Sequence, residues 1–456
     1  GLEQANGINR KYIYEKVMQV VIDRMDSIVL YELNDKNLMN AVNTRVIPVI
    51  TYGMNVIKYT KDQITSLEMI IKKCLRNHGM HSPQGSDERL YLPRKEGGRG
   101  LKSVKDSYEE TKIRIACYLF SSKNRLMKNV WKREVNKVHY SLIKEVNRIF
   151  QEIGKDILIN VNLINIDGND LGDDYKENNK KLKRIYKKGK IEQRKECYAT
   201  KQLQSEIWKI QESDSFQWLQ LGLNPEKTSA IIQMCEQMVE TKYWKKIKGL
   251  GEADDKCRLC GKYLENVQHI PAGCEKLAGI EYIKRHNKAL SLFAFEFGRK
   301  FNLIQEEKWY KFNWENNRII ENGEWKVMWD FQYQGRKENI NRRPDLTIEN
   351  KIKRKIWLYD RACPMENNIE KKKNEKLTKY RQIAFEIREK RKHYLVEIVP
   401  LIIGCCGGGF KEAKKSIEKV MNDEKASFHL TREMQKLVVC ESESIIRKVL
   451  SGLIQE

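Results

Sequence analysis

Two aspartates, Asp345 and Asp360, have the residue type and spacing to hold a divalent cation between them, the arrangement that metal-dependent phosphodiester cleavage needs. The middle of the interval between them, Asn350-Lys351-Ile352-Lys353-Arg354, is polar and turn-like. Leu346 to Ile348 on one side and Ile356 to Tyr359 on the other are apolar, β-branched or aromatic, as strands are. A fold-back near residues 352 and 353 makes the two aspartates direct cross-strand neighbours. Paired carboxylates offer hard oxygen ligands suited to Mg²⁺ or Mn²⁺. Such a metal can orient an attacking water and neutralise charge building on a phosphate. Asp345 taken alone reads better as a surface ion-pair partner; the joint placement with Asp360 is what points to a metal.

Metal-dependent nucleases often follow the pattern Pro-Asp, hairpin, Asp/Glu-x-Lys. Here Pro344 precedes Asp345, but the position two beyond Asp360 is Ala362, so a lysine must come from elsewhere. The helix expected over 366–392 offers Lys376 and Tyr380, four apart and on one face. A second constellation is Cys257-x2-Cys260-x8-His269-x4-Cys274. The Cys-x2-Cys pair lets two thiolates grip one ion from a tight turn, and the His and last Cys complete a tetrahedron typical of structural zinc. All four positions are protein, which leaves no open site for water. The competing reading is two buried free cysteines and an unrelated His.

The elements that must position these groups follow from pattern. Trp357 and Tyr359 alternate with Ile356 and Leu358, so both faces look buried, as in a central strand of a covered sheet. Tyr394 to Ile403 gives another buried strand, after which Gly404 and Gly407 to Gly409 turn the chain into a helix. No Gly-Lys-Ser/Thr follows them, so a tight turn is expected there rather than a phosphate loop. Residues 10–150 carry helical periodicity, interrupted at Pro48 and by a Gly/Pro-rich basic loop at 81–100. A run from Lys176 to Lys201 holds eleven Lys/Arg against three Glu; it is either a nucleic-acid-binding face or a solvated helix. Gly172-Asp173-Asp174 lacks the apolar flanks of a polymerase aspartate pair. His78 and His81 lack partner ligands, and Cys405-Cys406 reads as a packed pair.

Composition bounds the partners. The 456 residues suggest about three domains, and 86 Lys/Arg against 62 Asp/Glu give a net charge of +24. Such an excess recruits polyanions. No run of 18 apolar residues occurs, so no membrane span is expected. Eleven scattered cysteines do not form a disulfide framework and suit a reducing nuclear or cytosolic compartment. Gly1 in place of an initiator Met, with no signal-peptide pattern, suggests a fragment of a longer chain.

The ordered set of the Cys/His cluster, Arg285-His286, Trp329-Asp330-Phe331, Arg343-Pro344-Asp345, Leu358-Tyr359-Asp360-Arg361-Ala362-Cys363-Pro364 and Lys376-Leu377-Thr378-Lys379-Tyr380 resembles the C-terminal part of site-specific, LINE-like non-LTR retrotransposon polyproteins. The segment Arg89-Leu90-Tyr91-Leu92-Pro93-Arg94-Lys95-Glu96-Gly97-Gly98-Arg99-Gly100-Leu101 resembles the region just beyond the polymerase palm in that family. The resemblance implies an α+β chain: residues 1–150 a reverse transcriptase thumb and following helices, 151–250 a basic helical linker, 251–300 a zinc knuckle and helix, and 301–456 an α/β restriction-endonuclease-like domain. It implies nicking of target DNA to prime reverse transcription of element RNA in the nucleus, with the palm upstream of Gly1. Asp345, Asp360, Lys376 and Tyr380 match the catalytic positions. Arg89, Arg94, Lys95, Arg99, Lys183, Arg184, Lys187, Lys188, Arg285, His286, Arg342 and Arg343 are the expected nucleic-acid contacts. Arg361 and Cys363 depart from the pattern. The alternative is an inactive nucleic-acid-binding scaffold.

Overall fold

The computed structural model describes residues 4–5, 7–54, 57–172, 174–251, 254–334 and 343–454. Arg342 and Asp173 therefore lie outside the described residues. The chain is α+β and divides into two compact units, Gly1–Gln202 with Gly222–Ser229, and Leu203–Leu221 with Ala230–Glu456. The four expected segments regroup accordingly: residues 151–250 are shared between the units, while the Cys/His segment and the aspartate segment belong to one.

The first unit is built from α1 (Arg10–Leu30), α2 (Lys61–Asn77), α3 (Val104–Ser121), α4 (Leu142–Glu152) and α5 (Tyr175–Ala199) with further helices between them. Helix α2 starts at a reciprocal cap, Thr60 with Gln63, and buries Ile64, Leu67, Ile71, Cys74 and Leu75 at three- and four-residue steps. Pro48 does not break the chain. It lies inside a helical run unbroken over 35–54, two residues past a wide turn at Val42–Val46, and the loosened ladder of that turn absorbs its ring and missing N–H.

The Gly/Pro-rich segment is a folded buckle rather than an open loop. The Arg99 and Leu101 amides bond the Arg89 and Leu90 carbonyls at 2.8 and 3.1 Å. A Cβ on Gly98 would lie 2.0 Å from the Leu92 carbonyl oxygen, so only glycine fits.

The second unit contains α6 (Ile283–Lys300) and a five-stranded sheet. Its strands are β1 (Ile319–Glu321), β2 (Trp325–Trp329), β3 (Leu346–Asn350), β4 (Lys355–Ala362) and β5 (Leu395–Ile402). They lie in chain order across the sheet, antiparallel except for the parallel β4–β5 pair. That parallel pair needs a long crossover, supplied by α7 (Ile369–Lys379) and α8 (Arg381–Lys390). After β5 come α9 (Phe410–Met421) and α10 (Glu424–Leu450).

The alternation in β4 separates two cores, as expected for a covered central strand. Trp357 and Tyr359 join α6, α9 and α10 residues such as Phe293, Ile417 and Met434. Ile356 and Leu358 pack with Tyr380, Ile383, Ala384 and Ile387 from the crossover. Burying both faces of one strand fixes its register, because a one-residue slip would exchange the two cores.

Candidate active site and metal centre

The β3–β4 hairpin places the aspartates. Leu346 pairs with Tyr359 and Asn350 with Lys355, so continuing the register one step sets Asp345 opposite Asp360. The turn is held by Asn350, whose Oδ1 accepts from the Lys353 amide at 2.7 Å, and by Arg354 in the left-handed region at φ 50°. The chain thus folds back where its polar residues lie.

Each carboxylate has its own retinue. Asp345 Oδ2 meets His286 Nε2 at 2.9 Å and accepts from the Arg361 amide at 2.7 Å. Asp360 is fully buried; its Oδ1 accepts from Lys376 Nζ and its Oδ2 from Lys379 Nζ at 3.2 Å. Burial opposes ionisation of Asp345, but the His286 hydrogen bond and charge outweigh it and hold the carboxyl low. Asp360 moves the other way, raised by burial and by the neighbouring Asp345 charge despite Lys376. Two adjacent carboxyls that resist being charged together are an arrangement a divalent cation relieves. Burial also works against the imidazolium of His286, yet its bond to Asp345 raises it.

Lys376, one of the two candidates offered by the helix, bonds the second aspartate. Lys379 was missed. It lies three residues on along the same helix, and that spacing was the available signal. Tyr380 is buried, and its hydroxyl donates to the Arg343 carbonyl at 3.0 Å. In this structure it braces the Arg343-Pro344-Asp345 segment. The Arg343 guanidinium is ion-paired with Asp330, at the end of β2. Asp330, Asp345, His286, Asn287 and Trp329 line a cavity of about 380 Å³ beside the pair.

The Cys/His segment forms the one group of three or more possible metal ligands among the described residues, with all four donor atoms within 4.8 Å of one another. Cys257 Sγ lies 4.0 Å from Cys274 Sγ, and Cys260 Sγ 3.4 Å from His269 Nε2. A zinc tetrahedron with Zn–S of about 2.3 Å and Zn–N of about 2.0 Å has edges of about 3.8 and 3.5 Å. The residues fit that ion. Burial and the crowding of neighbouring thiols push Cys274 up to about 12, a strain that a bound dication reverses. Burial lowers His269 and so favours its lone-pair-donating form. Gly273 passes close to the imidazole, where a Cβ would stand 3.3 Å from Nδ1. Buried Glu265 clasps Arg258 at 2.7 and 2.8 Å and so fixes the Cys257–Cys260 turn.

The expected nucleic-acid contacts divide sharply. Arg89, Arg99 and Arg285 are buried, which corrects their expected place on a binding surface. Arg99 Nε bonds Asp35 at 2.8 Å and Arg94 bonds the same carboxylate at 2.6 Å; sequence alone cannot show that an acid 64 residues away claims the arginine. Arg89 Nε is spent on the Gly97 carbonyl at 2.8 Å. Along α5, Lys183 and Lys187 face Glu110, Lys190 faces Glu109, Arg194 faces Asp106, and Lys195 faces Glu96. Lys188 pairs within the helix with Glu192. Much of the basic run is therefore neutralised by α3 and its neighbours, while exposed Arg184, Lys180 and Lys95 have no ion pair among the described residues.

The glycine turn after β5 explains itself. The Glu366 carboxylate accepts from the Cys406 and Gly408 amides at 2.7 and 3.2 Å. An internal carboxyl group already occupies the amide nest that a phosphate would need.

Among the described residues no helix is long and apolar enough to cross a membrane. No protein-family profile matches the chain, and comparison with curated proteins found no match.

Proposed function

We propose that this chain is the C-terminal part of a non-LTR retrotransposon polyprotein, and that its second unit is a restriction-like endonuclease that nicks target DNA to prime reverse transcription of element RNA. The observation that carries this reading is the hairpin register that sets Asp345 beside Asp360, with Lys376 on the second carboxylate. Asp345 and Asp360 would hold Mg²⁺ or Mn²⁺, which supplies a polarised phosphate and an activated water when bound. His286 and the Arg361 amide fix the orientation of Asp345. Lys376 and Lys379 bring positive charge to the face where a phosphate gains negative charge. The zinc knuckle, adjoining α6 in sequence, braces the same unit, and exposed cations of α5 contact nucleic-acid backbone. The polymerase palm belongs to the polyprotein upstream of Gly1, and the working compartment is the nucleus.

One observation favours the inactive-scaffold reading: both lysines pair with Asp360, so the pair is part-neutralised without a metal. Nicking of supercoiled plasmid with Mg²⁺ or Mn²⁺ separates the two. Wild type should nick, and Asp345→Ala and Asp360→Ala should each lose at least about 100-fold. Nicking that survives both changes refutes the site; no nicking by folded wild type supports the scaffold.

A further inference from the structure

Asp345 is only one of the residues lining the cavity of about 380 Å³ beside it, a volume in the range of cavities that enclose a small organic group. One wall is a single stripe of α6: Ile283, His286, Asn287 and Leu290 follow each other at three- and one-residue steps of a helical face. A wide turn at Ala278–Tyr282 extends this wall towards the Cys/His cluster. There the Tyr282 hydroxyl donates to the Ile270 carbonyl at 2.6 Å and accepts from the Cys274 amide at 2.9 Å, so the cluster fixes the wall. The other wall is the end of β2 and the start of β3. Trp329 is held by stacking on Trp314, ring centres 5.2 Å apart. Asp330 lies in the left-handed region at φ 50°, with its amide bonded to the Asp345 carbonyl at 2.9 Å. Such strain at a non-glycine residue persists where the surroundings impose it, and it clusters at ligand sites.

The chemistry of the lining selects its occupant. Two carboxylates and an imidazole face the cavity, with no Lys or Arg among the lining residues, so a phosphate is disfavoured inside it. Asn287 Oδ1 is engaged by His286 Nδ1 at 3.0 Å, which leaves the Asn287 Nδ2 as a donor. Asp330 Oδ2 is engaged by Arg343, which leaves Oδ1 as an acceptor. Tyr282, Leu290 and Trp329 add ring and aliphatic surface, and Ile283 is 50% exposed, an apolar side chain left bare at the cavity. A flat, uncharged ring with a donor and an acceptor along one edge meets all of these groups. Every nucleobase has such an edge.

We infer that this cavity seats one nucleobase turned out of the target duplex, next to the phosphate that Asp345 and Asp360 address. The inference rests on the nuclease reading and adds to it the subsite that grips the substrate. Asn287 and Asp330 bind the base edge, while Tyr282, Ile283 and Trp329 cover the ring. Seating the base pins the adjoining phosphate against the carboxylates, which converts binding into orientation.

The test uses the full chain with Ca²⁺ in place of Mg²⁺, so that binding is read without cleavage. The probes are three DNA duplexes of one sequence: fully paired, with a single bulged 2-aminopurine, or with a bulged abasic residue. A base that is already unpaired spares the cost of extrusion, so the 2-aminopurine bulge should bind about tenfold more tightly than either other duplex. Ile283→Trp, which fills the cavity from an exposed position, should abolish that preference. Ile280→Trp, exposed but outside the lining, should keep it. Equal affinity for the three duplexes overturns the inference, and so does a preference shared by the abasic bulge, which would mean that bent DNA is recognised. A preference that survives the filled cavity also overturns it; Asn287→Leu takes the place of Ile283→Trp if that variant fails to fold. Plasmid nicking with Mg²⁺ is scored separately. Wild type that nicks without preferring the bulged base refutes the seat alone, whereas wild type that prefers the bulged base without nicking upholds the seat and refutes only the nuclease reading.

Discussion

Replacing Cys274 by Ser tests the metal centre where its geometry is most demanding. The four donors already lie at the edges of a zinc tetrahedron, 4.0 Å between two sulfurs and 3.4 Å between sulfur and imidazole. Structural zinc of this type contributes about 10–16 kcal/mol of binding free energy, so each of four ligands carries about 3 kcal/mol. Loss of one should weaken zinc about 100-fold. Because Cys257 and Cys274 are both buried, loss of the ion leaves the Cys257 thiol against the new serine hydroxyl with no cation between them, and the second unit should lose thermal stability. The assay is stepwise titration with an organomercurial while a chromophoric chelator reports free zinc. Wild type should release one zinc as three thiolates are consumed, Cys274→Ser should retain little, and Cys440→Ser should match wild type. Zinc well below one equivalent in wild type, or an unchanged melting temperature after chelation, would refute the reasoning.

Arg99→Met leaves the buried Asp35 carboxylate with only Arg94, and should cost the first unit about 3–5 kcal/mol in urea unfolding. A loss under about 1 kcal/mol would show that Arg94 alone suffices. Burial opposes ionisation of Glu88, but Lys201, Ser86 and Cys197 overcome it and take it from 4.5 to about 2. A lowered carboxyl stabilises the fold above its unfolded value, so up to about 3 kcal/mol should be lost as pH falls from 4.5 towards 2; Glu88→Gln should flatten that slope in acid titrations followed by circular dichroism. In nucleic-acid binding, Lys180→Ala and Arg184→Ala should each reduce the salt slope by about one, whereas Lys190→Ala, whose ammonium is held by Glu109, should not. Equal effects from all three would mean that the internal pairs open on binding.

The hairpin and the Cys3His cluster were legible because both are local. A polar turn between two apolar runs sets a register, and four soft ligands within eighteen residues have few other uses. The strand Tyr394 to Ile403 and the glycine turn were legible for the same reason. The basic surface was not. Arg89, Arg99 and Arg285 carry the same charge as an exposed arginine, and only the fold determines which of them meets Asp35, the Gly97 carbonyl or Ser442. Pro48 likewise signals a break in sequence, while the structure absorbs it within a helix just past a wide turn.

The sequence by itself determined the pairing of Asp345 with Asp360, the Cys3His ligand set and the two-faced burial of β4, because each depends on short-range spacing and side-chain alternation. Tertiary structure alone decided that His286 supports the first aspartate, that two lysines rather than one hold the second, and that α5 spends much of its charge internally. Those outcomes join residues far apart in the chain, and electrostatic pairing depends on distance in space, which spacing along the sequence does not record.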